Sequence, residues 1–229
     1  MVERGWFTGR QVVITGGDGA LGQAVVEAFV AAGADCHLPV LGSPEQSAGR
    51  GIHLLGGVNL TNEKAVEAYF AGLPPIAASV HLAGGYRAGP IGETSRADLE
   101  RMLELNLVTT FLCCREAARV MRRTGGGRIV NVGARVSEVP VAGASAYAAS
   151  KAAVAALTRS LALELRPDGI LVNAVLPSII DTPANRAAMP SADFSRWPSP
   201  DDLAHAILWL ASPDNRLTSG ALIPVYGNA

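Results

Sequence analysis

Tyr147 and Lys151 stand four residues apart in Ser145-Ala-Tyr-Ala-Ala-Ser-Lys151, within a stretch that reads as helix. Residues at i and i+4 share one helix face, so the phenol and the ammonium project into the same space. A phenol with an ordinary pKa of about 10 is a poor acid-base group at neutral pH. A neighbouring cation favours the phenolate and lowers that value toward the range where proton transfer is efficient. Alone, the pair reads equally well as an exposed helix that carries a tyrosine and a lysine. A second motif changes that: Thr15-Gly-Gly-Asp-Gly-Ala-Leu-Gly22, directly after the apolar run Gln11–Thr15. An amphipathic pattern follows from Gln23 to Ala32, with Val25, Val26, Phe29 and Val30 near helical spacing. Strand, glycine turn and helix N-terminus together make an anion site. The backbone N–H groups and helix dipole face the ligand, and glycine lets the chain approach a pyrophosphate.

Positioning these residues requires a particular framework. Strands are predicted at Gln11–Thr15, Asp35–Val40, Ile52–Val58, Ala78–Leu82, Arg128–Gly133, Leu171–Val175 and Ala221–Val225. The best helices between them are Ala97–Arg122, Ser145–Leu165 and Asp201–Ala211. Alternating strands and helices predict an α/β fold: one Rossmann-type, doubly wound parallel sheet of about seven strands, helices on both faces. No linker or repeat divides the chain, so 1–229 is expected to be one domain. Ligands on such sheets bind beyond the carboxyl ends of the strands, near the switch point. The glycine turn after the first strand and Tyr147 and Lys151 after the fifth would face one crevice.

Composition narrows the class. The chain is 49% hydrophobic and 17% charged with a net charge of −1, which offers no basic surface for nucleic acid and no acidic tail. Met1-Val-Glu-Arg-Gly-Trp-Phe7 lacks a signal-peptide core and no run approaches a membrane span, so a cytoplasmic protein is expected. Cys36, Cys113 and Cys114 are odd in number and read as buried thiols in a reducing compartment. His37, His53, His81 and His205 have no metal spacing, and no metal is expected.

In order and spacing the chain resembles the short-chain dehydrogenase/reductase family over essentially its whole length. The resemblance implies that Gly16, Asp18, Ala20, Leu21 and Gly22 bind the dinucleotide and that Asn59-Leu60 contacts adenine. His81-Leu-Ala-Gly84 stands for the family's Asn-Asn-Ala-Gly, placing Ala83, Gly84 and Gly85 on the cofactor. Asn106 matches the asparagine that holds a proton-relay water, and Tyr147 and Lys151 match the catalytic pair, Lys151 also binding ribose. Pro177, Ile180 and Thr182 fall in the segment whose threonine touches the nicotinamide amide, with a substrate lid around 183–200.

Departures from the pattern are more informative. The family's serine lies thirteen positions before the tyrosine, and here that position is Ala134. A hydroxyl there polarises a substrate carbonyl, and such a bond strengthens in the transition state. Ser137 and Ser145 flank the gap and could stand in only if the loop is rearranged. The quinonoid dihydropteridine reductase branch of the family is similar in carrying alanine at this site. It also resembles the chain in Gly19-Ala-Leu-Gly22 and Ala83-Gly-Gly85, and in Asp181-Thr-Pro-x-Asn-Arg186 and Met189-Pro-x-Ala-Asp-Phe-Ser195 with Trp197. Loop agreement of this kind is less constrained by packing than core agreement.

That likeness implies reduction of a quinonoid dihydropterin or similar conjugated imine, with Tyr147 as proton donor. Such an acceptor needs hydride and a proton but no carbonyl polariser. Tyr86, Phe194 and Trp197 become candidate stacking surfaces for a flat heterocycle, with ordinary packing as the plain alternative. The branch implies NADH. By register, however, the residue that would select NAD through the ribose 2′-OH is Val40; basic residues for a 2′-phosphate are missing as well, the nearest, Arg50, reading as a solvated surface residue. Two other functions stay open: a general carbonyl or alcohol oxidoreductase with a substitute for the serine, and a dinucleotide-binding protein with weakened catalysis. Helices 97–122 and 145–165 match those that pair subunits in the family, so a homodimer or homotetramer is expected.

Overall fold

The computed structural model describes residues 5–42 and 49–228. Seven strands form: β1 (Gln11–Thr15), β2 (Asp35–Pro39), β3 (Ile52–Leu55), β4 (Ile76–His81), β5 (Gly127–Val132), β6 (Ile170–Pro177) and β7 (Leu222–Val225). They make one sheet in the order β3-β2-β1-β4-β5-β6-β7, with every pairing parallel. The helices are α1 (Ala20–Ala31), α2 (Glu63–Ala71), α3 (Arg96–Leu103), α4 (Thr109–Arg122), α5 (Ser145–Glu164), α6 (Pro183–Ala188) and α7 (Pro200–Ala211).

A parallel sheet covered on both faces calls for strands that are apolar throughout. The run Val12-Val13-Ile14 is buried on both sides, as are Val172, Ala174, Val175 and Leu176 of β6. Alternate side chains enter two cores. Val12, Ile14, Cys36 and Leu38 pack with Val25 and Phe29 of α1 and Leu203 and Ile207 of α7. Val13, Ile129 and Val172 pack with Phe70 of α2, Leu112 and Met121 of α4, and Ala162 of α5. After β1 the chain builds outward through β2 and β3, and after β4 it builds the other way. The carboxyl ends of β1 and β4 therefore open the crevice that the sequence predicts.

Three predicted elements need correcting. β3 stops at Leu55, short of Val58, before Gly57 at φ +76° turns the chain, and β2 stops at Pro39, one residue short of Val40. The predicted helix 97–122 is two helices joined by a π-helical turn at Glu104–Val108. A π turn displaces the normal i→i−4 acceptors, and here hydroxyls replace the donors. Thr109 Oγ1 donates to the Leu105 carbonyl at 2.8 Å and Thr110 Oγ1 to the Asn106 carbonyl at 2.7 Å. No helix among the described residues is long and apolar enough to cross a membrane.

Candidate active site

Serine, threonine and asparagine caps close the N-termini of α2, α3, α6 and α7, through Asn62, Ser95, Thr182 and Ser199. α1 has Gly19 at its cap, with no side-chain bond and no acidic residue in its first turn. Its leading N–H groups and positive dipole end are thus available to an anion. The turn before it has no room for side chains. A Cβ on Gly22 would lie 2.1 Å from the Gly16 carbonyl oxygen, and one on Gly16, at φ +67°, 2.8 Å from the Ala83 nitrogen. Gly19 is roomier at 3.4 Å, in keeping with the tolerance of Ala20 next door. This cradle fits a pyrophosphate.

The loop after β4 is tied to the glycine turn. Leu82 N donates to the Thr15 carbonyl at 3.1 Å and Ala83 N to Thr15 Oγ1 at 3.3 Å. Asn106, fully buried in the π turn, clamps the next residues: Gly85 N donates to its Oδ1 at 2.9 Å, and its Nδ2 donates to the Gly85 carbonyl at 3.0 Å. The same Nδ2 reaches Ser150 Oγ at 3.0 Å, and that hydroxyl donates to the Tyr147 carbonyl at 2.7 Å. One carboxamide thus sets the spacing between the glycine loop and the helix that bears Tyr147. The sequence analysis assigned Asn106 a water and did not single out Ser150; the Ser150 signal was its place one residue before Lys151.

Tyr147 and Lys151 both lie on α5. Lys151 Nζ donates to the Val132 carbonyl at the end of β5, at 2.9 Å, and a Cβ on Gly84 would be 3.5 Å from it. Burial lowers Lys151 to about 8. Tyr147 goes the opposite way from the sequence expectation. Burial, and secondarily the neighbouring Tyr86, push its phenol up to about 12. In this geometry desolvation sets the direction, because burial disfavours the charged phenolate. The Tyr86 and Tyr147 rings meet edge to face, centroids 4.9 Å apart at 81°. Beside them a cavity of about 100 Å³ is lined by Arg87, Thr94, Asp98, Gly143, Ser145 and Ala146.

Ala134 is buried just past β5, on extended backbone. Ser137 does not replace its missing hydroxyl: the Ser137 O–H donates to the Ala134 carbonyl at 2.7 Å. Arg135 belongs to no motif. Its guanidinium lies 5.5 Å from the Tyr226 ring centroid, and among the described residues its buried Nε has no hydrogen-bond partner.

Residues 181–198 fold back on themselves. Arg186 makes two bonds to Asp181, at 2.6 and 2.7 Å, and sits 4.9 Å from the Phe194 ring centroid. Phe194 and Trp197 pack at 5.0 Å. Asp181 N donates to the Pro198 carbonyl at 2.9 Å. Much of the loop motif read from sequence thus holds this segment itself together. Thr182 Oγ1 accepts from Asn185 N as the α6 cap, which leaves its proton for another acceptor. Asn185 Nδ2 holds the Ile180 carbonyl at 2.8 Å, while Pro177 closes β6 with Ser178 tied to the Tyr226 carbonyl. At the far end of the crevice Asn59 Oδ1 accepts from Thr61 N and Oγ1, and Leu60 follows half-buried. Val40 is buried with its backbone bonded to Leu55 and Val58, so no carboxylate stands there.

His81 is held by side chains. It lies 2.9 Å from Asn131 Oδ1 through Nδ1 and 2.8 Å from Ser79 Oγ through Nε2. Among the described residues no three His, Cys, Asp or Glu converge as a metal site.

A model of the short chain dehydrogenase family matches residues 10–192. The chain is 32% identical to the cyclic-di-GMP-binding biofilm dispersal mediator protein of Escherichia coli, over 97% of this chain and 98% of that one. It is 34% identical to galactitol 2-dehydrogenase of Rhizobium johnstonii, over 95% and 93%. A short-chain type dehydrogenase/reductase from Mycobacterium ulcerans superposes with a TM-score of 0.87 at 28% identity, covering 97% of this chain and 90% of that one.

Proposed function

This chain belongs to the short-chain dehydrogenase family, and we propose that it is a nicotinamide-dependent reductase of a conjugated imine or quinone-like acceptor, with a quinonoid dihydropterin the favoured substrate. One observation supports the choice of acceptor: past the end of β5, whose Val132 carbonyl Lys151 holds, the chain carries the buried methyl of Ala134 where a hydroxyl is expected. An isolated ketone would lose a hydrogen bond at the oxygen where charge develops. A conjugated acceptor spreads that charge over its ring and depends on it less.

The dinucleotide would lie along Gly16, Asp18, Ala20, Leu21 and Gly22, with adenine at Asn59-Leu60, and Ala83, Gly84 and Gly85 along its middle. Lys151 would meet the ribose, and Pro177, Ile180 and Thr182 the amide end. When bound, that cofactor supplies hydride. Tyr147 donates the proton, and Lys151 four residues on stabilises the phenolate left behind. The buried carboxamide of Asn106 fixes the distance between Gly85 and Tyr147. Phe194 and Trp197, packed with their rings tilted at 51°, would form one wall of the site. Val40 gives no acidic partner for a ribose 2′-OH, so the preference for NADH rests on the resemblance alone.

The test is oxidation of NADH and of NADPH by purified protein with quinonoid dihydropterin generated in situ. Turnover that collapses in Tyr147→Phe supports the reading. Intact nucleotide binding without turnover sinks it. A second reading, a dinucleotide-binding sensor, is favoured by the likeness to a protein named for binding cyclic di-GMP. Tight cyclic di-GMP binding in equilibrium dialysis, with no acceptor turned over, would establish it instead. Pairing of copies through α4 and α5 is supported by exposed Phe111 and Leu163 on those helices, and light scattering would measure it.

A further inference from the structure

The site lacks a hydroxyl at Ala134, and the nearby serines are engaged or averted. Ser137 gives its proton to the Ala134 carbonyl and Ser150 gives its own to the Tyr147 carbonyl. Ser145 is two residues before Tyr147 on α5, and helical residues at i and i+2 do not face each other. Tyr86 is the phenol in contact with Tyr147. Its ring touches that of Tyr147, and among the described residues its O–H has no hydrogen-bond partner. Tyr86 does not sit on a loose loop. Gly85 before it is held by both ends of the Asn106 carboxamide, and Arg87 after it is paired with Asp98 at 2.8 Å. Yet the ring is 69% exposed, so an arriving ligand can cover it.

We propose that Tyr86 supplies the hydrogen-bond donor that Ala134 lacks, its phenol and that of Tyr147 converging on the acceptor atom where negative charge gathers. This rests on the reading of the site as a reductase. Two electrons and one hydrogen reach the acceptor as hydride from a reduced nicotinamide. Tyr147 gives the proton and becomes the phenolate, while Tyr86 donates a hydrogen bond and keeps its proton. A neutral phenol aimed at a developing oxyanion is an effective donor in a site withdrawn from water. The closeness of the two phenols also accounts for part of the upward push on Tyr147. The position then selects acceptors whose heteroatom lies on the Tyr86 side of the reacting centre.

The experiment compares wild type, Tyr86→Phe, Ala134→Ser and the double variant with 9,10-phenanthrenequinone as probe. Phenylalanine keeps the ring contact and removes only the hydroxyl. Tyr86→Phe is expected to lower kcat about tenfold or more, with KM within about threefold. Ala134→Ser in that background restores most of the loss by returning a donor to β5. A Tyr86→Phe enzyme at wild-type rate overturns the proposal, and so does a loss that Ala134→Ser leaves untouched. An infrared arm separates this outcome from failure of the reductase reading. The carbonyl stretch of the bound quinone moves to higher frequency in Tyr86→Phe if the bond exists, whether or not the quinone turns over. An unchanged stretch overturns the proposal.

Discussion

Two polar clusters lie along β4, β5 and α5, one joined by Cys114 of α4 and the other by Tyr86 of the loop after β4. The lower one is closed. His81 Nδ1–H donates to Asn131 Oδ1 and Nε2 accepts from Ser79. Asn131 Nδ2 donates to Thr158, which donates to the Val154 carbonyl, and Cys114 Sγ lies 3.4 Å from both His81 and Asn131. All five side chains are buried and each is engaged. The upper cluster, past the strand ends, is open. Among the described residues the Tyr86 and Tyr147 hydroxyls bond to nothing in the chain, and Lys151 meets only a backbone carbonyl. A satisfied cluster locks the sheet to its helices, because low dielectric penalises every unpaired group. An unsatisfied one at a crevice is where a ligand can supply the missing partners. Satisfaction of donors, more than residue type, separates framework from chemistry here.

The largest break in that contrast comes at Tyr147. Tyr147→Phe is expected to cut turnover about 10³-fold, the order of a lost general acid, while fluorescence titration finds nucleotide affinity unchanged. If turnover persists, the open cluster is not the proton source.

Next is His81, which burial lowers to about 4 despite the opposing bond from Asn131. The unfolded state takes up a proton below about 6.5 and the folded state does not, so stability falls as pH drops from 6.5 to 4. The depressed pKa corresponds to about 3 kcal/mol over that window. His81→Gln should lower Tm at pH 7 by loosening the network, yet flatten the acid slope in urea titrations. A slope unchanged by the substitution would assign acid sensitivity elsewhere.

Lys151 sharpens the comparison from the other side. Its pKa, lowered by burial to about 8, means a charge held at a cost in the folded state. That cost is present in full below pH 8 and fades as pH rises toward the unfolded value of 10.5, so stability from this group increases across that interval. Lys151→Met should therefore raise stability by about 1–2 kcal/mol at pH 7, with the gain shrinking above pH 8, while turnover is lost. Chemical denaturation at pH 7 and 9.5 measures both. The smallest effect belongs to Ser137→Ala, expected to change kcat by less than about twofold because that hydroxyl is spent on the Ala134 carbonyl. A large loss would return Ser137 to the role of polariser.

Much of this was legible in the chain itself. The apolar runs located β1, β4, β5 and β6, since burial on both faces leaves a clear mark in a parallel sheet, while the half-exposed β3 and β7 carry a weaker one. The glycine turn, Tyr147 and Lys151 were found by residue type and spacing, which the local backbone fixes. The gap at Ala134 was visible as an absence. Other features depend on partners distant in sequence. The π turn at Glu104–Val108 contains an ordinary-looking Glu-Leu-Asn-Leu-Val, and coincides with the Asn106 carboxamide being held by Gly85 and Ser150. The contact between Tyr86 and Tyr147 joins residues on different elements, and no periodicity encodes it. The upward shift of Tyr147 has the same origin. Sequence supplies a cation at i+4, but the burial that raises the phenol exists only once β5, α5 and the β4 loop have packed. Sequence thus determined which chemical groups the site owns. The tertiary structure decided which of them are spent on the fold and which are left for a ligand, because hydrogen bonds and desolvation belong to neighbours in space.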